Sequence, residues 1–203
     1  MDFFIEVKAR CLCRIAKKYF GDLQKLSVLD VGCGVGMTDR FLSNQFDALY
    51  GVDISGGVIE KAAIINPSVF YQVYDGKRLP FSENSMDIVF AICVMHHIAP
   101  PAWADMVREF RRVTKTGGLV VIFEHNPFNP LTRRVVNTCK FDANVVLLKN
   151  STAKSLIIKN GLSLVESSYI LFFPFRLPLF TRLDCMLRWL SLGAQYYVSG
   201  RKL

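Results

Sequence analysis

The chain has 203 residues, is 51% hydrophobic and carries a net charge of +8. That length and apolar content suit a single domain with a sizeable core, and no apolar run reaches the ~18 residues of a membrane span. The charge is unevenly spread: residues 1–129 hold 14 basic and 14 acidic side chains, whereas residues 130–203 hold 11 basic ones against Asp142, Glu166 and Asp184.

A basic last third points toward an anionic partner, with a solvated basic surface as the plain alternative. The acidic start, Met1-Asp2-Phe3-Phe4-Ile5-Glu6, differs from a basic export signal. Six scattered cysteines without a matching metal pair read as reduced thiols. The expectation is a cytoplasmic protein, with peripheral membrane contact left open.

In chain order, Phe4, Val7, Cys11 and Ile15 recur at helical spacing, so the first ~19 residues read as an amphipathic helix. Strands are expected at Ser27–Gly32, Leu49–Ile54, Val69–Tyr74, Met86–Val94 and Leu119–Glu124. Helices fall between them at 36–45, 55–65 and 101–114. In the last, Trp103, Met106, Val107, Phe110 and Val113 share a face, Pro100-Pro101 opens it and Gly117-Gly118 follows. Strand alternating with helix predicts parallel pairing with helices on both faces.

Beyond Glu124 come the turn Asn126-Pro127-Phe128-Asn129-Pro130 and short helices near 131–138 and 152–160. A strand at Leu164–Phe172, an aromatic and basic stretch through Phe180, an amphipathic run to Leu192 and a strand at Gln195–Arg201 end the chain. The expected organisation is one domain, with a helical region at 1–26, a core at 27–125 and a substrate cover with a closing hairpin at 126–203. The Tyr169–Phe180 stretch reads as core or as an apolar foot for an amphiphilic substrate.

The chemistry concentrates at strand ends. Leu29-Asp30-Val31-Gly32-Cys33-Gly34-Val35-Gly36 is a strand breaking into a glycine-rich turn, where backbone approaches a ligand without a Cβ in the way. A dinucleotide fingerprint would need glycine at Met37, and a P-loop would need Gly-Lys-Ser/Thr. Asp30 would repel a pyrophosphate and attract a cation. Asp53 and Asp75 end the next two strands; each also suits a helix cap or a turn.

With Gly51-Val52-Asp53-Ile54-Ser55, Asp75-Gly76-Lys77-Arg78-Leu79-Pro80-Phe81, Met86-Asp87-Ile88-Val89-Phe90, His96-His97-Ile98 and Lys115-Thr116-Gly117-Gly118 following in order, the chain resembles the class I S-adenosylmethionine-dependent methyltransferases. The likeness runs from about Ser27 to Glu124 and is to the type 11 group, which includes quinone-biosynthesis enzymes. It implies a Rossmann-like three-layer α/β fold whose seven-stranded, mostly parallel sheet ends on an antiparallel strand. It also implies S-adenosyl-L-methionine as cofactor. By the same resemblance Gly32, Gly34 and Gly36 line its methionine and ribose end, Asp30 helps hold the ammonium, Asp53 accepts from the ribose hydroxyls and Asp75 from the adenine amine. Cys33, Ile54, Gly76 and Cys93 complete the expected cofactor contacts.

The chain's three histidines, His96, His97 and His125, all follow strands four and five, at the edge where an open α/β sheet binds ligands. Histidine serves as a base near neutral pH, and His97 and His125 are the candidates for proton transfer; alternation sends His96 elsewhere. A backbone-bonding role remains the alternative for each, and no metal-ligand spacing is present. An Asn/Asp-Pro-Pro-aromatic signature of amine methylation is missing after strand four. The expected reaction is methyl transfer to a small-molecule or lipid- or glycan-linked acceptor at a hydroxyl oxygen. A cofactor-binding regulator without catalysis and an RNA methyltransferase stay open, although the chain lacks a nucleic-acid recognition module. The sequence does not give the oligomeric state.

Overall fold

The computed structural model describes residues 2–139, 145–173, 183–184 and 186–203. Seven strands form one sheet: β1 (Ser27–Val31), β2 (Ala48–Asp53), β3 (Phe70–Val73), β4 (Met86–Ile92), β5 (Thr114–His125), β6 (Leu162–Ile170) and β7 (Gln195–Lys202). Their spatial order is β3-β2-β1-β4-β5-β7-β6. Neighbours from β3 to β5 pair parallel, while β7 runs antiparallel to both β5 and β6. The expected fold class and closing hairpin are therefore present.

The central strands are largely apolar because both faces are covered, with Asp30 of β1 and Asp87 of β4 as exceptions. On one face α4 (Trp103–Val113) and α6 (Asn150–Lys159) pack against Leu29, Val31, Val89, Val120 and Ile122. The predicted stripe of α4, from Trp103 through Val113, is the buried one. On the other face α1 (Asp2–Phe20) sets Leu12, Ile15 and Ala16 against Val28, Phe90, Val121, Phe123 and Tyr197. Helix α3 (Gly56–Ile65) lies against β2 and β3. Among the described residues no helix is long and apolar enough to cross a membrane.

Three differences from the sequence expectation have local causes. Helix α2 occupies only Asp39–Leu42, because the positive-φ Gly34 and Gly36 keep the chain in turns until residue 38. Strand β4 stops at Ile92, since Cys93 takes φ 58° and leaves the ladder. Strand β5 starts at Thr114, and Gly117-Gly118 lie within it: the register jumps from Met86 opposite Thr114 to Ile88 opposite Leu119, an irregularity that glycine at φ 81° accommodates. Helix α5 (Pro130–Thr138) begins where the Asn-Pro turn predicts, with Asn129 capping the Thr132 N–H at 2.9 Å. The expected aromatic stretch is described as far as Phe173, and residues 174–180 lie outside the described residues.

Candidate functional site

The chain steps outward from β1 through β2 to β3 and then crosses back to β4 on the other side of β1, so the ends of β1 and β4 flank the switch point of the sheet. After β1, the Gly32 and Cys33 N–H groups bond the Val52 carbonyl at 2.7 and 3.1 Å, folding the turn over the end of β2. Gly34 then donates its N–H to Asp53 Oδ2 at 3.0 Å, and Ser55 N–H reaches Asp53 Oδ1 at 3.0 Å. Each oxygen thus takes one backbone bond. A carboxylate offers about four lone-pair sites, so Asp53 retains acceptor capacity for two ligand hydroxyls.

The glycines differ in what surrounds them. A Cβ on Gly32 would strike Val94, and one on Gly36 would strike Tyr71 and Asn66. At Gly34 nothing lies within 4 Å. Gly34 therefore lines open space beside the Asp53 carboxylate, a cradle that a side chain would fill. Cys33 is half-buried with its Sγ 3.6 Å from the Gly34 carbonyl. Burial, then Asp30 and Asp39, push its thiol far above the usual range, so it packs as a neutral group.

Asp30 does not stand at the open rim. It is 3% exposed on the α1 side of β1, close to the fully buried Asp39 of α2 and to Lys8. Asp39 Oδ2 accepts from the Tyr71 hydroxyl at 2.7 Å, while one oxygen of each acid, Asp30 Oδ1 and Asp39 Oδ1, has no hydrogen-bond partner. Burial pushes both acids up, Asp39 to about 6, and the Asp39 charge pushes Asp30 further. A cation near this pair would relieve that cost.

On the other side of Asp53, Ile54 is 67% exposed and sits against Gly76, whose Cβ position is 3.2 Å from Ile54 Cγ2. Asp75 is exposed and its Oδ1 accepts from the Lys77 and Arg78 N–H groups, both at 2.8 Å. Those N–H groups hold its carboxyl below the usual range. Asp75 is thus a turn-building residue in this structure, held charged at the same rim.

After β4, Val94 packs on Gly32 and Cys93 faces β7. Gln195 Nε2 lies 3.4 Å from Cys93 Sγ and 3.2 Å from His125 Nδ1. The glycine turn, Val94-Cys93, Gln195 and His125 form one continuous path. His97 is exposed on the Met95–His97 turn. His96 is buried, with Nδ1 2.6 Å from Glu124 Oε2 and its ring 4.2 Å from that of His97 and 5.3 Å from that of His125. The fully buried Glu124 also accepts from the backbone N–H groups of His96 and His125, each at 3.3 Å. Of the three histidines that sequence placed at one edge, Glu124 ties His96 and the His125 backbone together, and His97 stands against the His96 ring. Among the described residues no group is arranged to hold a metal ion.

Sequence reasoning missed the parts played by Glu124 and Gln195. Both are strand-end residues, and Gln195 comes 70 positions after His125. Beside them lies a largely apolar cavity of about 350 Å³, lined by Phe4, His125, Leu131, Val135, Phe172 and Gln195 among others. Its wall is clipped in place by two asparagines. Asn126 donates to the Ser191 and Gly193 carbonyls at 2.9 and 2.8 Å, and Asn129 to the Leu192 carbonyl at 2.7 Å.

With this geometry in view, residues 29–122 match the family model of the type 11 methyltransferase domain. The chain is 32% identical over 104 residues to the 2-methyl-6-phytyl-1,4-hydroquinone methyltransferase of Synechocystis sp., covering 49% of this chain and 32% of that protein. It is 29% identical over 105 residues to the malonyl-[acyl-carrier protein] O-methyltransferase of Hamiltonella defensa, covering 50% and 38%. The matched segment thus spans about a third of each relative. In fold, the chain superposes on the magnesium protoporphyrin IX methyltransferase of Synechocystis with bound S-adenosylhomocysteine. The TM-score is 0.70 at 15% identity, covering 98% of this chain and 83% of that one.

Proposed function

Because the chain belongs to the class I S-adenosylmethionine-dependent methyltransferases of the type 11 group, we propose that it transfers a methyl group from S-adenosyl-L-methionine to a small-molecule or lipid- or glycan-linked acceptor. The acceptor atom in this reading is a hydroxyl oxygen. The observation that carries it is the contact path from Gly32 through Val94-Cys93 and Gln195 to His125, which joins an open nucleoside cradle to an apolar cavity. The chain offers that cofactor a fitting set of groups. Asp53 accepts hydroxyls, Gly34 leaves room beside it, Ile54 and Gly76 form an apolar wall, and the buried Asp30–Asp39 pair favours a cation.

The bound cofactor supplies an electrophilic methyl on a good leaving group, so the protein's main work is alignment. Orientation alone can supply up to ~7–11 kcal/mol of the barrier. The apolar wall from Phe4, Leu131, Val135 and Phe172 gives the apolar part of the acceptor a surface to lie against and so orients it. His125 takes the hydroxyl proton, with the exposed His97 as the other candidate base. In a neutral imidazole one nitrogen donates while the other accepts. When the Gln195 amide turns its oxygen to Nδ1, the Nδ1–H is held there and Nε2 becomes the basic nitrogen. Buried Glu124 fixes the His96 ring and both backbone segments that carry the candidate bases.

The test is release of S-adenosylhomocysteine when purified protein meets fractionated hydroxyl-bearing metabolites and lipids. His125→Asn or His97→Asn, whichever removes the base, should lower turnover by ~10²–10⁴ and leave cofactor affinity near wild type. The wild-type rate should fall at low pH as the base is protonated. Near-normal turnover in both variants would leave alignment alone as the source of catalysis. No demethylated cofactor from any fraction would overturn the enzymatic reading.

A further inference from the structure

The cavity beside His125 opens onto solvent along one helix. Helix α5 buries Thr132 and Val136, while Leu131 and Val135, one turn apart, are 73% and 63% exposed. These two side chains also line the cavity, so its wall and the outer surface are continuous. Phe128, 62% exposed, precedes the helix, and Leu192, 58% exposed, is held next to it by the Asn129 bond to its carbonyl. Single exposed apolar residues are ordinary, but four gathered at a cavity mouth mark a contact surface. Beside them on the same helix stand the exposed Arg133 and Arg134, and no acidic residue occurs from Asn126 to Phe141.

We infer that this rim, Phe128, Leu131, Val135 and Leu192 flanked by Arg133 and Arg134, is a docking surface for an anionic lipid bilayer, from which the apolar chain of an acceptor enters the His125 cavity. A bilayer meets both halves of the pattern, since acyl chains cover the apolar stripe and anionic headgroups pair with the arginines. A second copy of the chain suits it less well. A two-fold contact on α5 would set the stripe against itself and bring Arg133 and Arg134 toward their own equivalents, a like-charge arrangement that is costly at an interface. The entry route rests on reading the cavity as the acceptor site, whereas the docking itself is measured without any turnover.

Full-length protein is sedimented with vesicles of phosphatidylcholine alone and of phosphatidylcholine with phosphatidylglycerol, at low and high salt. Binding is expected on the anionic vesicles and should weaken as salt screens the charges. Arg133→Ala with Arg134→Ala should lower anionic-vesicle binding about thirtyfold, at roughly one factor of five per arginine. Leu131→Glu with Val135→Glu should lower it at least about tenfold by removing apolar area and adding repulsion. All four positions are exposed, so circular dichroism and cofactor titration should match wild type. Absence of binding to either vesicle, or undiminished binding by the Leu131→Glu, Val135→Glu variant, overturns the inference. So does a concentration-dependent dimer that this variant abolishes. Failure of the methyltransferase reading would show instead as lost cofactor binding with vesicle binding intact.

Discussion

Asp53 organises the cradle because its two oxygens are each committed to one backbone N–H and still have room to accept more. Asp53→Ala should therefore lose the ribose bonds, each charge-assisted bond contributing roughly 1.5–3 kcal/mol, so calorimetry should show at least tenfold weaker cofactor binding. Gly34→Val should do worse, since a branched side chain at φ 55° is strained and would occupy the open space. Unchanged affinity in both variants would remove the cradle from the proposal. The buried acids behave differently. Their carboxyls are raised, chiefly by burial, so in the cofactor-free protein each opposes folding increasingly as pH rises above the ordinary aspartate value of 3.8, Asp39 through about 6. A cation bound nearby favours the ionised form, so cofactor binding near pH 6 should release protons and tighten as pH rises. Calorimetry in two buffers of different ionisation enthalpy should give different heats; equal heats would detach Asp30 and Asp39 from the cation. Asp53 was legible in the sequence as a candidate because it closes a β-strand after a glycine-rich turn, although such an acid also suits a helix cap. The Asp30–Asp39 pairing was not, because it depends on where α2 comes to rest.

Elements with a strong period were read from the sequence nearly residue for residue. The α4 stripe of Trp103, Met106, Val107, Phe110 and Val113 is buried as its spacing requires. Ends fixed by a single backbone angle were not: Cys93 at φ 58° and Leu171 at φ 61° terminate β4 and β6 with no marker in side-chain chemistry. Nor could spacing show that α1 is pinned to the sheet by a charged cluster. Glu166 of β6 accepts from Arg14 at 2.6 Å and Lys18 at 3.0 Å of α1, and from the Tyr197 hydroxyl of β7. Burial raises the Glu166 carboxyl, but the bonds from Arg14, Tyr197 and Lys18 together outweigh it and hold the group at about 2, below its ordinary 4.5. A depressed carboxyl stabilises the fold above the unfolded value, and that contribution fades as pH falls from 4.5 toward 2. With Lys18 exposed, the contribution discounts to about 1–2 kcal/mol. Urea denaturation should show Glu166→Gln less stable than wild type by that amount at neutral pH, with the gap closing at acid pH. A gap that persists at pH 2 would mean the glutamate acts through packing rather than charge.

At the scale of the molecule, alternation of strand and helix made the parallel half of the sheet legible, and the late pair of strands made the hairpin legible. Which strand lies innermost was not, because β6 and β7 are both apolar enough to serve. The structure places β7 between β5 and β6, so among the described residues β6 has no other neighbour in the sheet. This bears on how the chain is born. As it leaves the ribosome from its amino end, β5 and β6 both present bare edges until residues 195–202 emerge, and Gln195 is absent from His125 for the same interval. At ~5–20 residues per second, the stretch from β6 to β7 takes a few seconds to make. Through that window the nascent domain can hold the first five strands together yet lack both its last ladder and the partner of its candidate base. Arrested chains ending before Gln195 should thus be cut by protease within β6, and chains extended past Lys202 and clear of the exit tunnel should resist. Synthesis of one strand would then complete the sheet and the wall of the candidate site in a single step.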